Sequence, residues 1–329
     1  MKDKFKNILY IHTGGGIGDA LTSLPIINYI NENFNPKKIF YYCTDLQNFW
    51  FEDKLLEFKP KNLVTIKSFP QHFGFKSNHK FVSKSLINEF DFDHFDLIID
   101  NQTRFKNTII YKKIPHKYFI SACVNFLLSK PFFLTKKNKN VTLRVIEYLN
   151  KIIKEDIAPN YKIEIPTNFI YLAKKLMPQE KKYIGFSITA GHPTRIKEIN
   201  IIEIIKLANH YSKTHIPTFF IENKYTKLKE ILKKEVKNIF LPEEFIEKIY
   251  QKPMIVTALG SLTEFNITID NGISHMLSFS NNKTYIFYNH SSKKFMPHNK
   301  NCSVFDCKLN NTEINNLKSE EIIKFIENN

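Results

Sequence analysis

HTGGGIGDALTSLP, residues 12–25, holds four of the chain's nine glycines between Gly14 and Gly18 and sets Asp19 directly after them. Before it, NILYIH (7–12) is a short apolar run with the character of a buried strand. After it, Leu21, Leu24, Ile27, Tyr29 and Ile30 recur at roughly helical spacing, which predicts a helix over 20–31. A strand, a glycine turn and a helix in that order open a doubly wound α/β domain.

Working outward, KKIFYYCT (37–44), LVTIK (63–67) and FDLIIDNQT (95–103) read as three further strands. Leu97, Ile98 and Ile99 form the continuous apolar run of a parallel strand covered on both faces, and Asp100 ends it where such sheets bind ligands. A basic, Phe-rich region follows, then an amphipathic helix over 141–154. Pro159, Pro166 and Pro178 mark a linker, and the domain boundary is expected at 168/169. A second α/β series comes after it: a strand then a glycine loop over 183–192, strands at 217–222 and 283–289, helices at 200–213 and 227–236, a strand, glycine turn and helix over 265–280, and a closing helix from Ser319, its expected N-cap. The expected fold class is α/β: two facing Rossmann-like domains with mostly parallel sheets, residues 1–168 and 169–329.

The 329 residues carry a formal net charge of +16, with 43% hydrophobic residues. That hydrophobic share suits a folded protein with a real core rather than a disordered one. The basic excess is partly what an A+T-rich genome imposes through Lys and Asn codons. The remainder suits an anionic nucleotide donor, or an anionic lipid-linked acceptor beside a membrane. Cys43, Cys123, Cys302 and Cys307 are scattered without CxxC or zinc-ligand spacing, so buried thiols are expected and no metal. No stretch approaches the roughly twenty apolar residues of a membrane span, and the first residues lack the apolar length of a signal peptide.

Three motifs carry chemistry. The glycine loop ends in Gly18-Asp19, not in the Gly-Lys-Ser/Thr of a triphosphate-binding loop. A dinucleotide fingerprint would need its third glycine where Asp19 stands, which places an NAD-dependent oxidoreductase last. Gly16 and Gly18 free backbone N–H groups at a helix start, where a carboxylate is stabilised; spacing alone fits Asp19 as a helix cap or as a working group. In IDNGISH (269–275), Asp270 ends a strand, Asn271 and Gly272 turn the chain, and His275 enters the next helix, as a packing or a functional histidine. In TAGHPTRIK (189–197), Gly191 opens a loop and Lys197 offers charge to a phosphate.

Together these segments resemble the heptosyltransferase-like glycosyltransferases, glycosyltransferase family 9. GGGIGDALTSLPIINYI resembles that family's opening motif, FDLIIDNQTRFKN its strand ending in Asp-x-Gln, SITAGHPTRIKEI its second-domain loop with a nucleotide-contacting Lys, and ITIDNGISHMLSF its Asp-x-Gly-x-x-His signature. The resemblance implies a GT-B fold and metal-independent, inverting transfer of heptose or a related sugar, without a cofactor, from a nucleotide-sugar such as ADP-heptose to a lipid-linked or lipopolysaccharide-type acceptor. By it, Asp19 is the general base; Gly16, Gly18, Gly191, Lys197, Asp270, Asn271, Gly272 and His275 serve the donor; Asp100, Gln102 and Arg144 lie on the acceptor side. It also implies a cytoplasmic enzyme, peripheral at the inner face of the membrane, with no nucleic-acid partner. The chain departs from the family after Lys197, where Glu198, Ile199 and Asn200 replace a Trp-Pro run, and at 219–227 and 288–291. The other class of reading is a non-catalytic or nucleic-acid-binding protein on the same scaffold.

Overall fold

The computed structural model describes residues 5–12, 16–42, 55–66, 93–101, 104–135, 140–189, 198–289, 296–297 and 299–329. The chain divides into two compact units, Met1–Tyr161 and Lys162–Asn329. This division falls a few residues before the 168/169 boundary expected from the prolines.

In the first unit, β1 (Asn7–Ile11), β2 (Lys38–Tyr42), β3 (Leu63–Ile66), β4 (Phe95–Asp100) and β5 (His116–Ser121) form a parallel sheet in the order β3-β2-β1-β4-β5. Every residue of β4 is buried, as the run Leu97–Ile99 requires of a strand covered on both faces. Its first acid, Asp96, is taken up by the Lys6 and Asn7 amides and by Lys117. The helices are α1 (Ile17–Leu21), α2 (Leu24–Phe34), α3 (Phe105–Tyr111) and α4 (Val141–Ile153). The single helix expected over 20–31 is thus two. Pro25, in the first turn of α2, has no N–H to continue a ladder from α1, so the chain restarts at Leu24. Helix α4 is capped by Asn140, whose side chain accepts from the Thr142 amide, and packs its apolar face on α2.

In the second unit, β6 (Tyr183–Ser187), β7 (Ile216–Phe219), β8 (Phe265–Ile269), β9 (Lys283–Tyr288) and β10 (Cys302–Asp306) form a parallel sheet in the order β10-β9-β8-β6-β7. Around it lie α5 (Thr167–Leu176), α6 (Ile201–Tyr211), α7 (Thr226–Glu235), α8 (Pro253–Gly260), α9 (Gly272–Ser278) and α10 (Ser319–Glu327). Helix α8 packs on both α5 and α9, and α10 packs on α6. Ser319 is not the N-cap expected of it. It is the first residue of α10, and its amide is held by Glu203 of α6 at 2.9 Å.

Both sheets change direction once. In the first, β1 sits between β2 and β4; in the second, β6 and β8 are neighbours although β7 separates them in sequence. Helices leave opposite faces on either side of such a point, and a crevice opens at the carboxyl ends of the two strands. The glycine loop follows β1, and IDNGISH follows β8.

Candidate functional site

At the first switch point, β1 ends at Ile11 and His12 follows it. His12 is buried, its amide donating to the Tyr42 carbonyl and its Nδ1 3.0 Å from Ser23 Oγ. Gly16 precedes α1, and its N–H donates to Asp19 Oδ2 at 2.8 Å. The carboxylate therefore reaches back to the helix start, as its spacing allowed. Only one oxygen does so; Oδ1 has no partner among the described residues, and Asp19 is only half-buried. Burial pushes the His12 imidazole below its ordinary value, against the pull of the Asp19 charge beside it. The arrangement is a partly exposed carboxylate, aimed by a backbone bond, with one oxygen able to take a proton.

Gly16 adds a second observation. Its φ is −101°, which any residue adopts, and a methyl group there would meet nothing within 4 Å. Among the described residues, packing does not require glycine at this exposed position. Gly18, by contrast, is buried inside α1.

The acceptor-side expectations fare differently. Asp100 is fully buried, accepting from Thr108 Oγ1 at 2.5 Å and Ser121 Oγ at 2.8 Å. In the structure the carboxylate braces β4 against α3 and β5, because both hydroxyls lie inside the fold with it. Its neighbour Asn101 is the better exposed, donating through Nδ2 to Tyr10 Oη at 3.0 Å. Arg144 lies over the Phe126 ring at 4.5 Å and donates to Thr135 Oγ1, so it secures the chain after β5. Gln102 lies outside the described residues.

At the second switch point one side chain does most of the joining. Asn271 Oδ1 accepts from the Ser274 amide at 2.8 Å and so caps α9; its Nδ2 donates to Ser187 Oγ at 2.8 Å and to the Thr189 carbonyl at 3.0 Å. Ser274 Oγ returns a bond to the Asn271 carbonyl at 2.7 Å. The end of β8 is thereby tied to the chain leaving β6. Asp270 is half-buried, its amide bonded to Phe287 of β9, and its charge helps burial hold the Tyr288 phenol well above its ordinary value. Gly272 is half-buried at the first position of α9. His275 is buried in that helix, which favours its packing role. Gly191 and Lys197 lie outside the described residues.

Sequence reading missed Glu243. It sits in a short 3-10 turn (Pro242–Glu244) beside the chain that leaves β7. Burial pushes its carboxyl up to about 7, although its own amide, the Ile221 amide and the Lys229 charge pull the other way. Its Oε2 is enclosed without a hydrogen-bond partner among the described residues. Lys229, itself buried, spends a bond on Asn223 Oδ1 at 2.7 Å. Nothing in LPEEF marks this in advance, because the shift comes from groups that only the fold brings near.

Among the described residues no cluster of three or more His, Cys, Asp or Glu side chains is placed to hold a metal ion, and no helix is long and apolar enough to cross a membrane. Cys123 and Cys307 are buried free thiols and Cys302 is half-buried; Cys43 lies outside the described residues.

No protein-family profile matches the chain, and no curated protein sequence does. Solved structures do. A glycosyl transferase of family 9 from Veillonella parvula is 16% identical, with 100% of this chain and 98% of that one covered at a TM-score of 0.68. E. coli heptosyltransferase WaaC, solved with ADP-2-deoxy-2-fluoro heptose, is 14% identical over 98% of this chain and 99% of its own, at 0.65. UDP-GlcNAc 2-epimerase from Neisseria meningitidis, bound to UDP-GlcNAc, is 14% identical over 97% and 91%, at 0.51. These likenesses show the fold: the chain has the two-unit α/β architecture of the GT-B type, the one its motifs resemble.

Proposed function

We propose that the chain is an inverting, metal-independent glycosyltransferase, moving heptose or a related sugar from a nucleotide-sugar to a cell-surface glycan acceptor such as a lipopolysaccharide core. The observation that carries the reading is Asp19: a carboxylate oriented by Gly16 at the first switch point, with one oxygen free among the described residues, in a chain that shares the fold of WaaC over 98% of its length. WaaC was solved with an ADP-sugar analogue, which supports a nucleotide-sugar as the donor here.

In this mechanism Asp19 Oδ1 takes the proton from an acceptor hydroxyl as its oxygen attacks the anomeric carbon. The glycosidic bond to the nucleoside diphosphate breaks on the opposite face, and the electron pair leaves with the phosphate. Lys197 and the amides at Asn271 and Gly272 neutralise the departing diphosphate. Asp270 accepts from sugar hydroxyls, and His275 steadies the turn from within. The enzyme works at the cytoplasmic face of the membrane on a lipid-linked acceptor.

The test is a thermal-shift screen against nucleoside diphosphates and their sugar conjugates without added metal. A ligand at 100 times its Kd adds about 2.7 kcal/mol to the native state. One nucleotide is expected to stabilise the wild type, and less so Lys197→Ala. Asp19→Asn retains an oxygen to accept from the Gly16 amide, so it should keep the nucleotide shift and lose about 10²–10⁴-fold in transfer. Undiminished transfer in Asp19→Asn would remove it as the base; silence toward every nucleotide would remove the transferase reading.

A further inference from the structure

Between Asn101 and Ile146 the sequence has ten Lys or Arg residues and no Asp or Glu. Within that stretch, the chain after β5 turns a row of apolar side chains to solvent. Val124 is 46% exposed, Leu127 58%, Phe132 47% and Leu134 80%. Lys130 stands exposed among them.

The backbone beneath is fastened. Phe119 and Lys130 exchange both of their amide-to-carbonyl bonds, at 2.9 and 2.7 Å. The Phe133 amide donates to Tyr148 Oη at 2.6 Å, and that hydroxyl donates to the Pro131 carbonyl at 3.0 Å. Lys151 Nζ donates to the Leu134 carbonyl, and Arg144 Nε to Thr135 Oγ1. Phe126 and Phe133 supply the inward anchors, their rings 5.4 and 5.2 Å from that of Tyr148. Phe132, Phe133 and Leu134 therefore run outward, inward, outward. Val124, Asn125 and Phe126 turn the chain with φ of 44°, 57° and 69°, the left-handed region that a β-branched residue such as Val124 adopts only when its surroundings impose it.

Apolar side chains held outward, with Lys130 exposed among them in a stretch of sequence that carries only positive charge until Glu147, call for a partner that is greasy and anionic at once. We propose that this surface docks on an anionic lipid bilayer, with Val124, Leu127, Phe132 and Leu134 entering the boundary between headgroups and acyl chains and Lys130 meeting lipid phosphates. A nucleic acid offers phosphates but no apolar layer for Leu134. A second copy of the chain offers the apolar side chains but repeats the positive charge. A bilayer supplies both, and stable peripheral binding needs two such signals together. The proposal deepens the membrane part of the reading above by naming the element that binds. It does not depend on Asp19 or on the donor.

The experiment is flotation of the full chain with vesicles of phosphatidylcholine alone and of phosphatidylcholine mixed with phosphatidylglycerol. Binding is expected only to the anionic vesicles and should weaken as salt is added. Leu127→Ser combined with Leu134→Ser should reduce partitioning about tenfold or more, because each leucine loses most of its apolar transfer. Lys130→Glu should reduce it about fivefold or more. The nucleotide-induced thermal shift of the double variant should equal that of the wild type, which separates the two readings: vesicle binding without any nucleotide response keeps this proposal and removes the transferase. No binding to anionic vesicles, or equal binding by the double variant, overturns it. So does a wild-type dimer that the double variant converts to monomer with vesicle binding unchanged, since a second copy would then own the surface.

Discussion

Replacing Asn271 tests whether the second switch point is joined as described. Asn271→Ala removes the cap on α9, worth about 1 kcal/mol, and the bonds to Ser187 and Thr189, each worth about 1 kcal/mol net. The sum is about 3 kcal/mol. For a unit of this size that corresponds to a Tm loss of about 6–12 °C. Asn271→Asp makes a finer cut. An aspartate caps a helix as well as an asparagine does, and Ser187 Oγ can reverse its role and donate to the carboxylate. The Thr189 carbonyl, 3.0 Å away, cannot; an oxygen then faces an oxygen. The aspartate variant should therefore lose less than the alanine variant at neutral pH. It should also regain stability on acidification, because the folded state raises the new carboxyl's pKa and binds a proton that the unfolded chain does not. Calorimetry of the full chain from pH 4 to 8 measures both, with the two units resolved as separate transitions if they unfold independently. Wild-type stability in the aspartate variant across that range would show that Nδ2 does not hold the Thr189 carbonyl, and the tie between β6 and β8 would have to be abandoned.

Two further substitutions address buried carboxylates, Glu243 and Asp100. Glu243 has a folded pKa of about 7 against an ordinary 4.5, so the folded state keeps a proton that the unfolded chain gives up; stability should fall as pH rises from 4.5 through 7, by up to about 3 kcal/mol. Glu243→Gln should flatten that slope in denaturant titrations at several pH values, and an identical slope in wild type and variant would contradict the enclosure. Asp100→Ala should destabilise the first unit by about 3 kcal/mol through two lost bonds to a buried carboxylate, with full nucleotide response retained. A variant with unaltered Tm but impaired acceptor use would return Asp100 to the acceptor side.

The strands were legible because parallel strands buried on both faces write themselves as apolar runs: NILYI, KIFYY, FDLIID and FNITI stand where expected. What escaped had no such signature. PMIVTALG, α8, is apolar nearly all round because α5 and α9 both pack on it, so no polar face reveals a helix. HKYFIS, β5, begins with residues that read as basic loop, and CSVFD, β10, is only half-buried over most of its length. At the sites, residue types pointed to Asp19 and Asn271, but not to the partners of Asn271. Ser187 and Thr189 precede it by 84 and 82 residues, and only the strand order β8-β6 makes them neighbours. Asp100 shows another limit: it ends a strand where such sheets bind ligands, but its burial comes from the hydroxyls of Thr108 and Ser121, which only the fold brings to it.

The two switch points differ in what they leave available, and that difference bears on the proposed chemistry. Asn271 has committed both ends of its amide to the protein, so it fixes the backbone of the turn and is poorly suited to gripping a ligand by its side chain. In the proposed mechanism, recognition in the second unit then falls to Asp270, Lys197 and backbone amides, groups whose chemistry suits a phosphate-bearing donor without needing a movable acid. Asp19 has committed one oxygen and kept the other, which suits a group that must hold its position while its protonation changes. The asymmetry supports a division in which the first unit supplies the base and the second holds the donor. It also predicts unlike consequences of substitution. Side-chain changes at Asn271 act through stability, whereas Asp19→Asn acts through rate with the fold intact, and a reversal of that pattern would assign the working carboxylate to the other unit.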